Sequence, residues 1–259
     1  MTPHKILTVG NSFAVDTLRH VPDIAAACGY PLTLGNLYVG GCSIRMHHAH
    51  AEVDEAVYTY YTHPGEEWIT APGIRLSDAL HSDDWDCVTI WPGTKDGSRH
   101  TDPESYALLP ALVDYIRAHT RPDIPLAYNL TWVGEPDSTR PELAEIGGDQ
   151  LLLLSRISEI TRTHVASLVP FFRIAPMGTA VQNARSHPAM PRLTRDGYHL
   201  SKDLGRYIAG LTFFGALTGM DISGITWVPE GVDENARAIA NEAARLALAS
   251  PFTVTPMHG

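Results

Sequence analysis

The sequence predicts an α/β domain of three layers, α/β/α, built on a parallel sheet of about five strands. Three observations carry that expectation. Short, nearly continuous apolar runs recur along the chain, most end at a glycine, proline or asparagine, and stretches with apolar residues at helical spacing separate them. Strands buried on both faces need such continuous apolar character, and parallel neighbours need a helical crossover between them. A chain of 259 residues is long enough to bury one such core.

Lys5-Ile6-Leu7-Thr8-Val9 reads as the first strand, closed by Gly10-Asn11-Ser12. A helix follows with Val15, Leu18, Ile24 and Ala25 toward the core, broken or kinked at Pro22 and stopping near Gly29. Leu32–Val39 is the second strand, ending in Gly40-Gly41, and Cys87–Trp91 the third, ending in Pro92-Gly93. Leu126–Leu130 and Phe171–Ala175 are the fourth and fifth. Asp102 and Pro103 open a helix whose core face is Leu109, Leu112, Val113 and Ile116. Leu151, Leu154, Ile157, Ser158 and Thr161 mark the next, and residues 201–217 and 233–249 give two more. Residues 44–77, interrupted by Pro64-Gly65, read as an insertion after the second strand, a helix with a hairpin or long loop. With no internal repeat or low-complexity linker, residues 1–259 are expected to form a single domain.

The balance of 19 Lys plus Arg against 29 Asp plus Glu gives a net charge of −10, a field that repels phosphate backbones and anionic membranes. No apolar stretch is long enough to span a bilayer, and the run of Met1–Val9 straight into an apolar strand leads to the expectation of no secretory signal. Cys28, Cys42 and Cys87, odd in number and different in context, are expected as reduced thiols, and the location as cytoplasmic. His47, His48 and His50 lack the accompanying carboxylates or cysteines of a metal site, so no metal is expected. Gly93-Thr94-Lys95 lacks the spacing of a phosphate loop, and no dinucleotide-binding glycine pattern follows strand one, so no cofactor is expected.

Active sites of parallel α/β sheets form at the carboxyl ends of the strands. Ser12 lies at the end of the first, before a helix, where it serves equally well as the helix cap or as a nucleophile beside backbone N–H groups. Asp196-Gly197-Tyr198-His199 sets a carboxylate three residues before an imidazole, near enough to hold Nδ1 and make Nε2 a base.

Gly10-Asn11-Ser12-Phe13, Asn36 to Ser43 with Gly40-Gly41, Asp86 to Asp96 and Asp196 to His199 occur in the order and spacing of the blocks of SGNH (GDSL-like) hydrolases. The sequence resembles that superfamily over most of its length, most closely a branch known as a domain of unknown function. The resemblance implies a flavodoxin-like sheet and a Ser–His–Asp ester hydrolase. Ser12 would be nucleophile and oxyanion donor, Gly41 (with Gly40 the alternative) a second donor, His199 the base and Asp196 its orienting partner. Lys95 stands where the pattern has the asparagine that gives the third oxyanion donor; its ammonium could replace that amide, or point elsewhere, leaving Asn129 or Thr94 as fallback. Asn11, His47, Trp91, Trp132 and Asn129 are candidate substrate contacts. The substrate implied by the resemblance is a small carboxylic ester, with an O-acetylated carbohydrate the expected case.

Two other functions fit the scaffold. One is a glycoside hydrolase using paired carboxylates such as Asp16, Asp96, Glu135 or Asp196, although Asp16 and Glu135 read more simply as solvated or capping groups. The other is a non-catalytic carbohydrate-binding protein with a decayed site, motivated by Lys95.

Overall fold

A computed structural model describes residues 4–258; Met1–Pro3 of the N-terminal stretch lie outside them. In chain order the elements are β1 (Lys5–Gly10), α1 (Ser12–Leu18), α2 (Val21–Ala27), β2 (Thr33–Tyr38), α3 (Ile44–Glu52), β3 (Tyr58–His63) and β4 (Ile69–Ile74). Then come α4 (Leu76–His81), β5 (Cys87–Ile90), a 3-10 turn at Pro103–Tyr106, α5 (Leu109–Ala118), β6 (Leu126–Asn129), α6 (Pro141–Ala144) and α7 (Gln150–Ile160). A π-helical stretch (Thr161–Val165), α8 (Ala166–Leu168), β7 (Arg173–Ala175), α9 (Met177–Arg185), α10 (Leu204–Thr218) and α11 (Glu234–Ala249) complete the described chain. These segments cluster into two compact units. One holds the chain up to Val15 with Pro31–Asn129 and Ile160–Arg173; the other holds Asp16–Tyr30, Leu130–Glu159 and the chain from Ile174 onward.

The first unit is built around the sheet, whose order is β4-β3-β2-β1-β5-β6-β7, with Arg173 of β7 belonging to this unit. β1 pairs in parallel with β2 and β5, and β5 with β6. Ile6, Leu7, Val9, Leu34, Val88, Ile90 and Leu126 are all buried, as the apolar runs require. The five expected strands are present in flavodoxin-like order, and the sheet has two more. Residues 44–77 form α3 and an antiparallel hairpin, β3 and β4, that extends the sheet beyond β2. The sheet is therefore mixed and seven-stranded. The alternation Tyr58-Thr59-Tyr60-Tyr61-Thr62 supplies the residue types that favour a strand, and Tyr58 and Tyr60 turn to the buried face.

The second unit is mainly helical. α10 packs against α2, α9 and α11, and nearly every residue of α10 is buried. The break between α1 and α2 falls where Pro22 enters the first turn of α2. A further cluster joins Leu130, Val133 and Leu143 to Leu153, Leu154 and Ile157. Leu151, expected in the core, is 57% exposed; it lies in the first turn of α7, and Leu153 takes the buried place. Asp233 caps α11 by accepting the Ala236 N–H at 2.8 Å. No helix among the described residues is long and apolar enough to cross a membrane.

Candidate active site

In the first unit, the loops after β1, β2 and β5 are locked together. Gly10 is followed at once by α1, and a Cβ on it would lie 2.4 Å from Ala14 Cβ, so only glycine permits the turn that presents Ser12. Asn11 Oδ1 accepts the Phe13 N–H at 3.0 Å and thereby caps α1. The capping role open to Ser12 in the sequence thus belongs to its neighbour, and Ser12, half-buried, is the first residue of the helix. The Asn11 amide also donates to the carbonyls of Cys42 (3.2 Å) and Pro92 (2.9 Å). Its side chain is spent on the protein itself, which corrects its expected place among substrate contacts.

Gly41 adopts φ +66°, a conformation that favours glycine, and Gly40 does not share it. Lys95 is exposed, and its backbone N–H donates to the Gly41 carbonyl at 3.0 Å. Gly93 packs so closely on this turn that a Cβ would fall 2.1 Å from the Cys42 carbonyl oxygen. Asn11, Gly41 and Lys95 therefore belong to one interlocked set of loops, with Ser12 directly after Asn11 in sequence.

His47, Trp91 and Asn129 belong to the interior of the same unit, with no exposed surface for a ligand. His47 stacks on Tyr58 at 5.7 Å, and its Nδ1 shares a hydrogen bond with the Tyr58 hydroxyl at 2.9 Å. Burial, with a smaller contribution from nearby His50, holds its pKa down to about 3, so it is a neutral core histidine. Trp91 lies edge-on to Phe13, and Asn129 donates to the Ile90 carbonyl at 3.0 Å. These three are corrected from substrate contacts to core residues. Asp96, in the loop after β5, accepts the Ser43 hydroxyl at 2.8 Å. Burial pushes its pKa up, but hydrogen bonds from Ser98 and Ser43 outweigh this and hold it below the usual carboxylate range.

In the second unit, Asp196 and His199 form a pair. His199 Nδ1 and Asp196 Oδ2 are 2.7 Å apart, and Asp196 Oδ1 accepts the N–H groups of His199 (2.7 Å) and Tyr198 (3.0 Å). Gly197 at φ +83° lets the chain fold back so tightly. Burial alone would raise the Asp196 pKa; the hydrogen bond from the His199 ring and the two backbone N–H groups outweigh it and bring it to about 2. Trp132, expected as a substrate contact, is buried, and its indole N–H donates to the Tyr198 carbonyl at 2.9 Å, so it braces the loop instead.

A cavity of about 330 Å³ opens beside the pair, lined by Asp137, Ser138, Thr139, Arg140, Arg192 and residues 196–199. The Arg140 guanidinium lies 3.6 Å from the centre of the Tyr198 ring, and Arg192 pairs with Asp137 through two hydrogen bonds of 2.9 Å. Three ion pairs on buried carboxylates lie near this loop and leave no signal in the sequence. Asp16 is 1% exposed and binds Arg195 and Arg206; Glu135 is 8% exposed, binds Arg185 and accepts the Thr194 hydroxyl. Both were expected as solvated or capping groups. Nothing local in the sequence joins Asp16 to Arg195, 179 positions away.

The sheet order and its α/β organisation define the class: an α/β fold with a mixed central sheet flanked by helices, shared with α/β hydrolases of known structure. More narrowly, the chain belongs to the DUF4886 family, a domain of unknown function, whose family model matches residues 5–247. A crystal structure of a DUF4886 family protein from Bacteroides uniformis is similar at 29% identity with a TM-score of 0.91, over 98% of this chain and 97% of that one. An alpha/beta hydrolase enzyme from the metagenome of Lake Arreo, Spain, is 15% identical with a TM-score of 0.50, over 83% and 95% of the two chains. A variant of an acetyl xylan esterase from Geobacillus stearothermophilus is 14% identical with a TM-score of 0.50, over 88% and 97%. At those identities the last two share a fold with this chain. No curated protein matches it.

Proposed function

We propose that the protein is a serine ester hydrolase with Ser12 as nucleophile, His199 as general base and Asp196 as the carboxylate that orients it. The observation that carries the reading is the Asp196–His199 hydrogen bond of 2.7 Å. A carboxylate held ionised by two backbone N–H groups fixes the proton on Nδ1 and makes Nε2 the basic nitrogen.

In this mechanism Ser12 Oγ adds to the ester carbonyl as Nε2 takes its proton. The carbonyl oxygen becomes an oxyanion stabilised by the N–H groups of Ser12 and Gly41, with the Lys95 ammonium as third donor. Collapse breaks the bond to the alcohol, which leaves with the proton from His199. Water then attacks the acyl-Ser12 carbonyl with His199 as base, releasing the acid and regenerating the serine. The left-handed Gly41 and the Lys95 N–H bonded to its carbonyl support these donor assignments.

The proposed substrate is an O-acetylated carbohydrate. Support comes from the polar cavity beside His199, where the Tyr198 ring under Arg140 and the Arg192–Asp137 pair suit a hydroxyl-bearing ring better than a long acyl chain. The paired-carboxylate alternative fares worse. A glycosidase acid needs a raised pKa, whereas Asp196 and Asp96 are both held low. Asp16 and Glu135 are buried against guanidinium groups. A cytoplasmic location is part of the proposal, supported by three free thiols.

Intact mass after treatment with a fluorophosphonate tests the assignment. One adduct at Ser12, absent from Ser12→Ala, is the expected result. A folded wild-type protein that takes no adduct, while still binding acetylated sugars, would move the reading to a non-catalytic carbohydrate-binding protein.

A further inference from the structure

We propose that Asp16, itself buried, is a positioning residue for His199, acting through its ion pairs with Arg195 and Arg206; this rests on His199 being the base of the ester hydrolase. Asp16, 1% exposed, lies in α1. Its Oδ1 accepts Arg195 Nη1 at 2.9 Å, Arg206 Nε at 2.9 Å and Arg206 Nη2 at 2.8 Å. Its Oδ2 accepts Arg195 Nη1 at 3.1 Å and the Leu200 N–H at 3.0 Å. Arg195 Nη1 donates in addition to the Leu200 carbonyl. One carboxylate thus grips the residue just before Asp196 and the residue just after His199.

The backbone of this segment is closed on itself as well. The Arg195 N–H donates to the His199 carbonyl at 2.9 Å, Thr194 and Leu200 form an antiparallel bridge, and the Ser201 N–H donates to the Leu193 carbonyl at 2.7 Å. Asp16 fixes this closed loop from below at both of its feet. The Asp196–His199 bond joins two partly exposed side chains, 49% and 24%, and an exposed ion pair does little to hold its own geometry. The backbone on either side of the imidazole is a further constraint on its position. A buried carboxylate between two guanidinium groups is a poor choice for stability alone, since apolar packing of the same volume does as well, and specifying geometry is its better-attested use. A base displaced by about 1 Å loses on the order of a hundredfold in rate.

Asp16→Asn tests the idea, because it keeps the shape and an acceptor for Leu200 while removing the charge. On acetylated substrates kcat should fall about 10- to 100-fold with KM within about twofold. Fluorophosphonate labelling of Ser12 should slow in proportion, and the low-field proton resonance of His199 Nδ1–H should shift or vanish in protein of wild-type circular dichroism. Arg195→Lys, which keeps the charge and loses the double grip, is the second variant and should show the same pattern. Unchanged kcat and resonance in either folded variant overturns the proposal. So does a joint fall of kcat, KM and melting temperature with the resonance intact, or the failure of both variants to fold, since each assigns the cluster to stability. A wild type that takes no label at Ser12 defeats the ester-hydrolase reading by itself; the resonance comparison still decides whether Asp16 holds His199.

Discussion

Replacing Glu135 by leucine strands a buried guanidinium. Arg185 Nη2 donates to Glu135 Oε1 at 3.1 Å, and Nη1 donates to the Val133 carbonyl at 2.9 Å. The two side chains are 8% and 10% exposed, so little water can replace the lost carboxylate. The Thr194 hydroxyl, which donates to the same oxygen at 2.9 Å, loses its acceptor too. An uncompensated buried charge costs about 3–5 kcal/mol, and the orphaned hydroxyl about 1 kcal/mol. Burial of the new leucine returns about 1 kcal/mol or more, leaving a net loss of about 3–5 kcal/mol. With a urea slope of about 3 kcal/mol/M, the midpoint should fall by about 1–1.7 M. The assay is urea unfolding of wild type, Glu135→Leu and the double variant Glu135→Leu/Arg185→Met. The double variant should recover most of the loss, because removing both ions leaves nothing unpaired. A single variant within about 1 kcal/mol of wild type, or a double variant no better than the single, refutes the reasoning.

Four further outcomes are expected. Asp196→Asn should lower kcat by about 10³–10⁴-fold without loss of fold, and near-wild-type turnover would remove Asp196 from the mechanism. Because its folded pKa lies near 2 against an ordinary 3.8, the ionised form stabilises the fold above about pH 4; that contribution should vanish as the pH falls toward 2, read as a steeper acid limb in wild type than in the variant. His47 is held neutral, with its pKa down from 6.5 to about 3, so only the unfolded chain gains its proton as the pH drops through that window. Stability should decline by up to about 1.4 kcal/mol per pH unit there, and His47→Gln should flatten the slope by as much as one proton; an unaltered slope contradicts the assignment. Gly93→Ala forces a Cβ into the Cys42 carbonyl at 2.1 Å, and soluble protein with full fluorophosphonate labelling would show that the Gly41 turn tolerates displacement.

Much of the fold was legible because strand burial and apolar composition are the same fact seen twice: Ile6-Leu7-Thr8-Val9 is continuous in sequence and buried in space. The Pro22 break was legible for a local reason, a missing N–H. The hairpin in 44–77 was expected as a possibility, but its pairing with β2 depends on which sheet edge is open, and no local pattern encodes that. The Asp196–His199 bond was readable because both partners lie within one tight turn. Asp16 and Glu135 were misread for the opposite reason. Their partners are 179 and 50 positions away, and a carboxylate that faces a guanidinium looks in sequence like one that faces water. Trp132, His47, Trp91 and Asn129 lie at or near strand ends, where ligand contacts are expected; burial, which a sequence does not state, gives them to the core.

The Asn11 side chain turns three loops into one mechanical part. Its amide fastens the Cys42 and Pro92 carbonyls while its oxygen holds the Phe13 N–H. None of the three can be lengthened, shortened or re-aimed without releasing the others, so their shape is a single inherited variable. Change in what the protein accepts has to come from groups hung on that frame or standing apart from it, such as the Lys95 chain and the Arg140–Tyr198 shelf. A redesign that varies those two places keeps the frame; one that begins at position 11 starts from a different protein.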